Sequence, residues 1–214
     1  MNIRSFPLGD WMTNCFVVHP EESGPCWIVD AGYSPQQLIN YIDEHQFEPQ
    51  AVLLTHAHVD HIGGLHDVRD RWPEIPILIH PAERDFLTDP MLNLSVVLIE
   101  KLIAPESTGP LEHGDVVDMA GHSWSIRHTP GHSPGGITLY NADAGVAIVG
   151  DTLFNAGIGR TDFPTSNPAL LFKSIREQLL TLPDKTRVLP GHGFETTIGQ
   201  ERSSNPFLIS DATY

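Results

Sequence analysis

The sequence predicts a mixed α/β fold in a single domain. Three observations carry this. Short runs of β-branched and aromatic residues recur in both halves of the chain, and two segments open with helix-start signals. Neither a low-complexity linker nor a short-period repeat interrupts the 214 residues. A folded chain of this length buries roughly 70% of the surface its unfolded form exposes, enough for one substantial core. With 40% hydrophobic and 18% charged residues, the composition is that of an ordinary globular protein. Two packed sheets with helices outside would account for the order of elements, although the pattern by itself says only α with β.

Taken in order, segments 14–19 (N-C-F-V-V-H) and 26–30 (C-W-I-V-D) flank an E-E-S-G-P turn and predict a hairpin. A helix is expected with Ser34 as N-cap and Pro35 at its first position, its apolar face formed by Leu38, Ile39 and Ile42. The runs 51–55 and 77–80 are continuously apolar, as buried strands are. Residues 91–103 are apolar nearly all round and suit either a buried helix or an irregular cover over a pocket. Further strands are expected near 116–119, 124–129, 136–140, 146–149 and 186–190. Between the last two lies a helix capped by Asn167, with Pro168 in its first turn, Leu171, Ile175, Leu179 and Leu182 along one side, and Pro183 as its stop.

A formal net charge of −15, from 12 basic against 27 acidic residues, disfavours nucleic acid and anionic membranes as partners. The first ten residues hold no apolar run of the kind a signal peptide needs, and no stretch elsewhere is long enough to span a bilayer, so a cytoplasmic location is expected. Cys15 and Cys26 lack metal-site spacing and read as two buried thiols, with a disulfide as the alternative.

Histidine, at 12 residues, is the compositional anomaly. Residues 55–61 read T-H-A-H-V-D-H and are followed by Ile62, Gly63 and Gly64. His56 and His58 fall on one side of an extended segment, while Asp60 and His61 come where the chain begins to turn. Gly63 and Gly64 let the backbone pack closely beside the cluster. Imidazole nitrogen with carboxylate oxygen suits zinc, manganese or iron, and uncompensated groups so crowded would be costly to bury. His132, Asp151 and His192 each follow a strand-like run in a Gly/Pro-rich bend. Each alone reads as a turn or capping residue; with the 55–61 cluster they read as further ligands, since strand ends gather along one edge of an α/β fold. His19, His45, His66, His80, His113, His122 and His128 read as surface or packing residues, with His80 the best placed to support a ligand from behind.

T-H-A-H-V-D-H-I-G-G resembles the signature of the metallo-β-lactamase superfamily, and G-H (131–132), G-D (150–151) and G-H-G (191–193) match its remaining metal motifs in order. Within it, the chain is similar to the short glyoxalase II-like hydrolases of the YcbL type. N-L-S at 93–95, H-T-P-G-H-S-P-G-G at 128–136, G-D-T-L-F at 150–154, I-G-R-T-D-F-P at 158–164 and T-T-I-G-Q-E-R with N-P-F at 196–207 carry that likeness. The resemblance implies a four-layer αβ/βα sandwich over 1–214, with sheet halves of roughly 1–110 and 111–214 and a metal site at one edge. It also implies two divalent cations, zinc foremost with iron or manganese possible: one on His56, His58 and His132, the other on Asp60, His61 and His192, with Asp151 bridging. Full-length glyoxalase II carries a C-terminal helical region supplying glutathione contacts, whereas this chain ends soon after Phe207. The likeness therefore speaks more strongly for the hydrolytic core than for glutathione.

The chemistry so implied is hydrolysis of a thioester or related acyl ester, as in hydroxyacylglutathione hydrolases, by attack of a hydroxide bridging the metals. Asp60 would accept or orient the proton. Arg160 is a weaker candidate for meeting an anionic substrate, its competing role being an ion pair with Asp162. Asn14, Asp30 and Thr152 are expected to support the ligand loops. Rival readings are a mononuclear-iron persulfide dioxygenase using residues such as His56, His132 and Asp151, a lactonase, and a non-catalytic metal-binding module. The complete ligand set leans against the first and the last. A nuclease of this superfamily would carry an inserted domain, for which the chain has no room.

Overall fold

The structure, a computed structural model, describes residues 1–98 and 100–209. The chain divides into two compact units, Met1–Leu111 with Asp118–Ser123, and Glu112–Val117 with the chain from Trp124 onward.

The first sheet has six strands in chain order. They are β1 (Asn2–Leu8), β2 (Thr13–His19), β3 (Gly24–Val29), β4 (Phe47–Leu53), β5 (Ile77–Ile79) and β6 (Gly109–Pro110). β1 to β3 run antiparallel, and β3 to β6 run parallel. Parallel neighbours need crossovers. Helix α1 (Gln36–Glu44) joins β3 to β4, while α2 (Val59–Ile62) and α3 (Leu65–Arg71) lie between β4 and β5. Leu38 and Ile42 of α1 and Leu65 and Val68 of α3 are fully buried in the same apolar cluster as Val17, Ile28 and Val52.

Several expectations for this unit are corrected. β1 carries no clean alternation and was not anticipated; its register against β2 makes it a strand. β4 begins at Phe47, not 51, because Phe47, Glu48 and Pro49 pair with Gly24, Pro25 and Cys26 of β3, the register shifting at Gln50 before Ala51 meets Trp27. It stops at Leu53 because the N–H of Thr55 is taken by the Asp30 carboxylate at 2.7 Å. Ser34 does not cap α1: its φ of +56° is left-handed, and the cap position falls one residue later on Pro35, which makes no side-chain cap bond. Of 91–103, residue 99 lies outside the described residues. The rest is turns with one short 3-10 segment, Ser95–Val97, and Met91, Val97 and Ile103 are exposed, so the buried-helix alternative is discarded.

The second sheet has the order β14-β13-β10-β9-β8-β7. In chain order the strands are β7 (Val116–Met119), β8 (His122–His128), β9 (Ile137–Asn141), β10 (Val146–Gly150), β13 (Arg187–Pro190) and β14 (Thr196–Thr197), with β11 (Leu153–Phe154) and β12 (Gly157–Ile158) pairing separately. β10 and β13 run parallel, joined through α4 (Pro168–Ser174). Asn167 caps α4 as expected, its Oδ1 accepting the Leu170 N–H at 3.1 Å. The helix continues as a π turn, Ile175–Leu179, with Leu180 N–H bonded to Ile175 O at 2.8 Å. The wider turn keeps Leu171, Ile175 and Leu179, spaced four apart, on one buried face.

Helices α5 (Ile198–Ser204) and α6 (Pro206–Ile209) follow, and the E-R-x-x-N segment explains them. Glu201, fully buried, accepts from Thr196 Oγ1 (2.5 Å), the Ala156 N–H (3.0 Å) and Asn205 Nδ2 (2.7 Å), while Asn205 Nδ2 also reaches Gly157 O at 3.0 Å. The C-terminal helices are thereby tied to the β11–β12 turn.

Cys15 and Cys26 are free thiols, both buried. Burial pushes Cys26 up to about 12; burial and then the field of Asp30 raise Cys15 well above its ordinary value. Thiolate is the reactive form. Native protein at pH 8 is therefore expected to leave an aromatic disulfide reagent unreduced until denaturant is added. Separately, Asn167→Ala removes a side-chain cap, costs about 1 kcal/mol and lowers Tm by about 2–4 °C in a calorimetric scan.

Candidate metal centre

The first group of ligands forms where β4 leaves its sheet. His58 is extended (φ −70°, ψ 150°) and opens α2, whose one turn brings His61 back beside His56. The His56 and His61 ring centroids are 4.1 Å apart, and His56 meets His58 edge-on at 4.8 Å. All three histidines are buried, at 3% exposure or less. Asp60 Oδ2 lies 3.5 Å from His61 Nε2 and accepts a hydrogen bond from Thr13 Oγ1 at 2.9 Å.

Asp30 organises this group from behind. It accepts from the Thr55 N–H and Thr55 Oγ1, both at 2.7 Å, and from His61 Nδ1 at 2.8 Å. A carboxylate only accepts, so the His61 proton sits on Nδ1 and the lone pair is left on Nε2, the nitrogen facing Asp60. The close packing expected at Gly63 and Gly64 is present: a Cβ on Gly64 would lie 2.2 Å from Gly32 O.

In the second unit, Asp151 follows the end of β10. Its Oδ2 is 3.5 Å from His132 Nε2 and 3.5 Å from His192 Nε2. His132 Nδ1 donates to Arg160 O at 2.9 Å, which again leaves Nε2 with the lone pair. A Cβ on Gly159 would lie 1.9 Å from Asp151 O, so the loop bearing that carbonyl can close on Asp151 only as glycine. Thr152 Oγ1 bonds Thr129 Oγ1 at 3.1 Å, linking the loops after β8 and β10. The His192 side chain, 30% exposed, is the most open of the three.

Within each unit, then, the residues singled out from sequence meet: His56, His58, Asp60 and His61 in the first, His132, Asp151 and His192 in the second. The donor set is imidazole nitrogen and carboxylate oxygen, and the second nitrogens of His61 and His132 are bonded as those of metal-binding histidines usually are. The residues fit divalent zinc, iron or manganese. Arg160 is turned to another use. Its guanidinium makes a two-point pair with Asp162 (2.9 and 2.8 Å) and lies 4.5 Å from the Phe163 ring centroid, and only its carbonyl touches a ligand. That pair raises the Arg160 pKa and lowers that of Asp162. His80 caps the 3-10 helix Pro81–Leu87, its Nδ1 accepting the Ala82 N–H.

Sequence reasoning missed Thr13, Glu83 and Asn93 as partners of the first group. Thr13 sits in a strand and Glu83 in a charged run that reads as solvated, so neither carries a signal. Asn93 stood inside a segment whose apolar character drew attention away from it.

A metallo-β-lactamase superfamily model matches residues 8–192. The chain is 41% identical over 209 residues to a probable metallo-hydrolase, YqgX, of Bacillus subtilis, covering 97% of this chain and 98% of that one. It is 34% identical over 219 residues to the hydroxyacylglutathione hydrolase GloC of Haemophilus influenzae, covering 98% and 99%. Among solved structures, the BLEG-1 B3 metallo-β-lactamase superposes with a TM-score of 0.91 at 39% identity, over 97% of this chain and all of that one. TTHA1623 in a di-iron-bound form superposes with a TM-score of 0.85 at 34% identity, over 96% of this chain and all of that one. The chain belongs to the metallo-β-lactamase superfamily and has its fold, mixed α/β with two sheets and several helices. It is a metallo-hydrolase of that superfamily.

The bonds to Asp30 make a stability prediction. Asp30→Ala strands two buried donors of Thr55 and one of His61, each costing about 1–3 kcal/mol. Urea unfolding is expected to show a loss of at least about 3 kcal/mol, with the m-value unchanged.

Proposed function

We propose that this protein is a two-metal thioesterase of the hydroxyacylglutathione hydrolase type, acting on a small-molecule acyl thioester. The observation carrying the reading is the position of Asp151 Oδ2, equidistant at 3.5 Å from His132 Nε2 and His192 Nε2. One carboxylate shared between two histidines on separate loops is the arrangement a bridging ligand requires. In this reading His56, His58 and His132 would hold one cation and Asp60, His61 and His192 the other, with Asp151 available to both. GloC, at 34% identity over nearly the whole chain, supports the substrate class. Zinc is the proposed metal; the di-iron form of TTHA1623 makes iron the principal competitor.

When bound, the cations supply Lewis-acid polarisation of an acyl carbonyl and lower the pKa of a water towards 7. The rest falls to the chain's own residues. Asp60, its Oδ2 fixed by the Thr13 hydroxyl, takes or orients the proton of the attacking water. The ring of His61 cannot turn away, because Asp30 grips its Nδ1. A thiolate leaves without an acid to protonate it, which suits a site where the described neighbours are imidazoles and carboxylates. Two free cysteines accord with a reducing, cytoplasmic setting. No helix among the described residues is long and apolar enough to cross a membrane.

Metal analysis of protein purified without added metal is expected to give two divalent ions per chain. Hydrolysis of S-lactoylglutathione should fall in Asp151→Ala and His192→Ala by more than the roughly 10–100-fold typical of mutating groups behind the ligands. Undiminished turnover in metal-analysed variants overturns the reading. Oxygen uptake with glutathione persulfide and a single bound iron would replace it with dioxygenase chemistry.

A further inference from the structure

We infer that Glu83, with Asn93 behind it, is a positioning residue for the metal ligands His56 and His58, an inference that rests on the metal-centre reading above. Glu83 is fully buried and lies on the 3-10 helix Pro81–Leu87. Its Oε2 accepts the N–H of Ala57, the residue between the two histidines, at 3.1 Å. A carboxylate buried away from water is costly unless its oxygens are satisfied, so a surface-type residue held in the core here requires a compensating task.

The geometry around it is that of a clamp. In a 3-10 helix, residues three apart eclipse one another, and Phe86, also buried, stands over Glu83. The Phe86 ring lies 6.5 Å from that of His58. The next odd-numbered amide, Val59 N–H, is bonded to Asn93 O at 2.8 Å. Asn93 is itself fully buried, and its Nδ2 donates to Phe86 O (2.9 Å) and Leu102 O (3.2 Å) while its Oδ1 accepts the Ser95 N–H at 2.9 Å. The amides of Ala57 and Val59 are therefore both anchored to one assembly, the 3-10 helix plus the N-L-S turn. In extended chain, alternate residues share a side, so fixing the backbone at 57 and 59 fixes the direction in which His56 and His58 project. The helix is held in turn by His80, which caps it.

This assigns a task to a sequence feature that the ligand set left unused, N-L-S at 93–95. Glu83 touches no reacting atom in this account; it acts through the backbone of the ligand loop.

The test compares Glu83→Ala and Glu83→Gln with wild type, reading zinc affinity by competition with a chromophoric chelator and ligand geometry by the visible spectrum of the cobalt-substituted protein. Circular dichroism and Tm of the metal-free forms report folding. Glu83→Ala is expected to fold, to bind zinc about 10–100-fold more weakly and to shift the cobalt spectrum. Glu83→Gln, which keeps an acceptor oxygen for the Ala57 amide, is expected to stay within about threefold of wild type on the same scale. A Glu83→Ala protein with lowered Tm but unchanged zinc affinity and cobalt spectrum overturns the inference, as does equal weakening in the Gln and Ala variants. If Glu83→Ala does not fold, Glu83→Gln and Asn93→Ala decide: weaker zinc binding in Asn93→Ala beside near-wild-type Glu83→Gln supports the clamp, and any other pair of results rejects it. Failure of wild type itself to bind zinc, iron or manganese would instead sink the metal-centre reading.

Discussion

A carboxylate in a protein interior has to find donors for its oxygens, and Asp30, at 1% exposure, is the residue whose solution to that problem shapes the first ligand group. It draws the Thr55 N–H out of the strand ladder, which ends β4 and frees the chain to run extended through His56 and His58. It also takes the Nδ1 proton of His61 and so decides the tautomer. Only the nitrogen without a proton can bind a metal, so a bond made behind the ring determines what the front of the ring can do. Asp30 achieves this from a left-handed backbone (φ +61°), a conformation aspartate tolerates better than most residues.

The second unit meets the same need by other means. His132 donates its Nδ1 proton to a backbone carbonyl, Arg160 O, so its orientation is only as firm as the loop that bears the carbonyl. That loop is short of regular structure, but it is pinned at two points. Gly159 lies hard against Asp151 O, and the preceding β11–β12 turn is held by Glu201 and Asn205 through Ala156 N–H and Gly157 O. The buried Glu201 thus serves the ligand through covalent continuity along four residues, and the E-R-x-x-N segment near the C-terminus gains a physical reason for its composition. A charged acceptor would raise the basicity of His132 more than a carbonyl does, so the two units tune their imidazoles differently.

Much of this could be read from sequence, and the reason is local. Proline after Asn167 signals a helix start through chain stereochemistry alone, and T-H-A-H-V-D-H crowds metal-binding groups too densely for another purpose. The parts that escaped depend on partners distant in the chain. β1 has a burial pattern with no simple alternation and becomes a strand only against β2. Ser34 has the composition of a cap and the backbone of a turn, with a left-handed φ of +56° that its residue type does not announce. Glu83 is 26 residues from the amide it holds, with a sequence neighbourhood (Pro81, Ala82, Arg84, Asp85) indistinguishable from a solvated helix. At Arg160 the ion pair with Asp162 was legible from a spacing of two residues and is present, whereas the reach of its carbonyl to His132 had no sequence signal.

Charge balance ties these pieces together. Neutral imidazoles add nothing to the charge of the proposed centre, so of the protein ligands only Asp60 and Asp151 would set negative charge against two divalent cations. Such an excess, set in a largely buried place, would be costly. Asp30 and Glu83, both removed from solvent and each one hydrogen bond from the ligand loop, supply the two remaining negative charges. Counted this way, before any bound hydroxide, the proposed loaded centre would be close to neutral, and its long-range pull on a substrate would be weak against the −15 of the whole chain. Salt screens exposed charges beyond about 8 Å, so capture of an acyl thioester would depend on contact with the polarising cations at short range and not on steering. On the two-cation proposal, the acidic groups that touch no substrate would be buried at this place for the same reason: they would offset the excess charge of the cations.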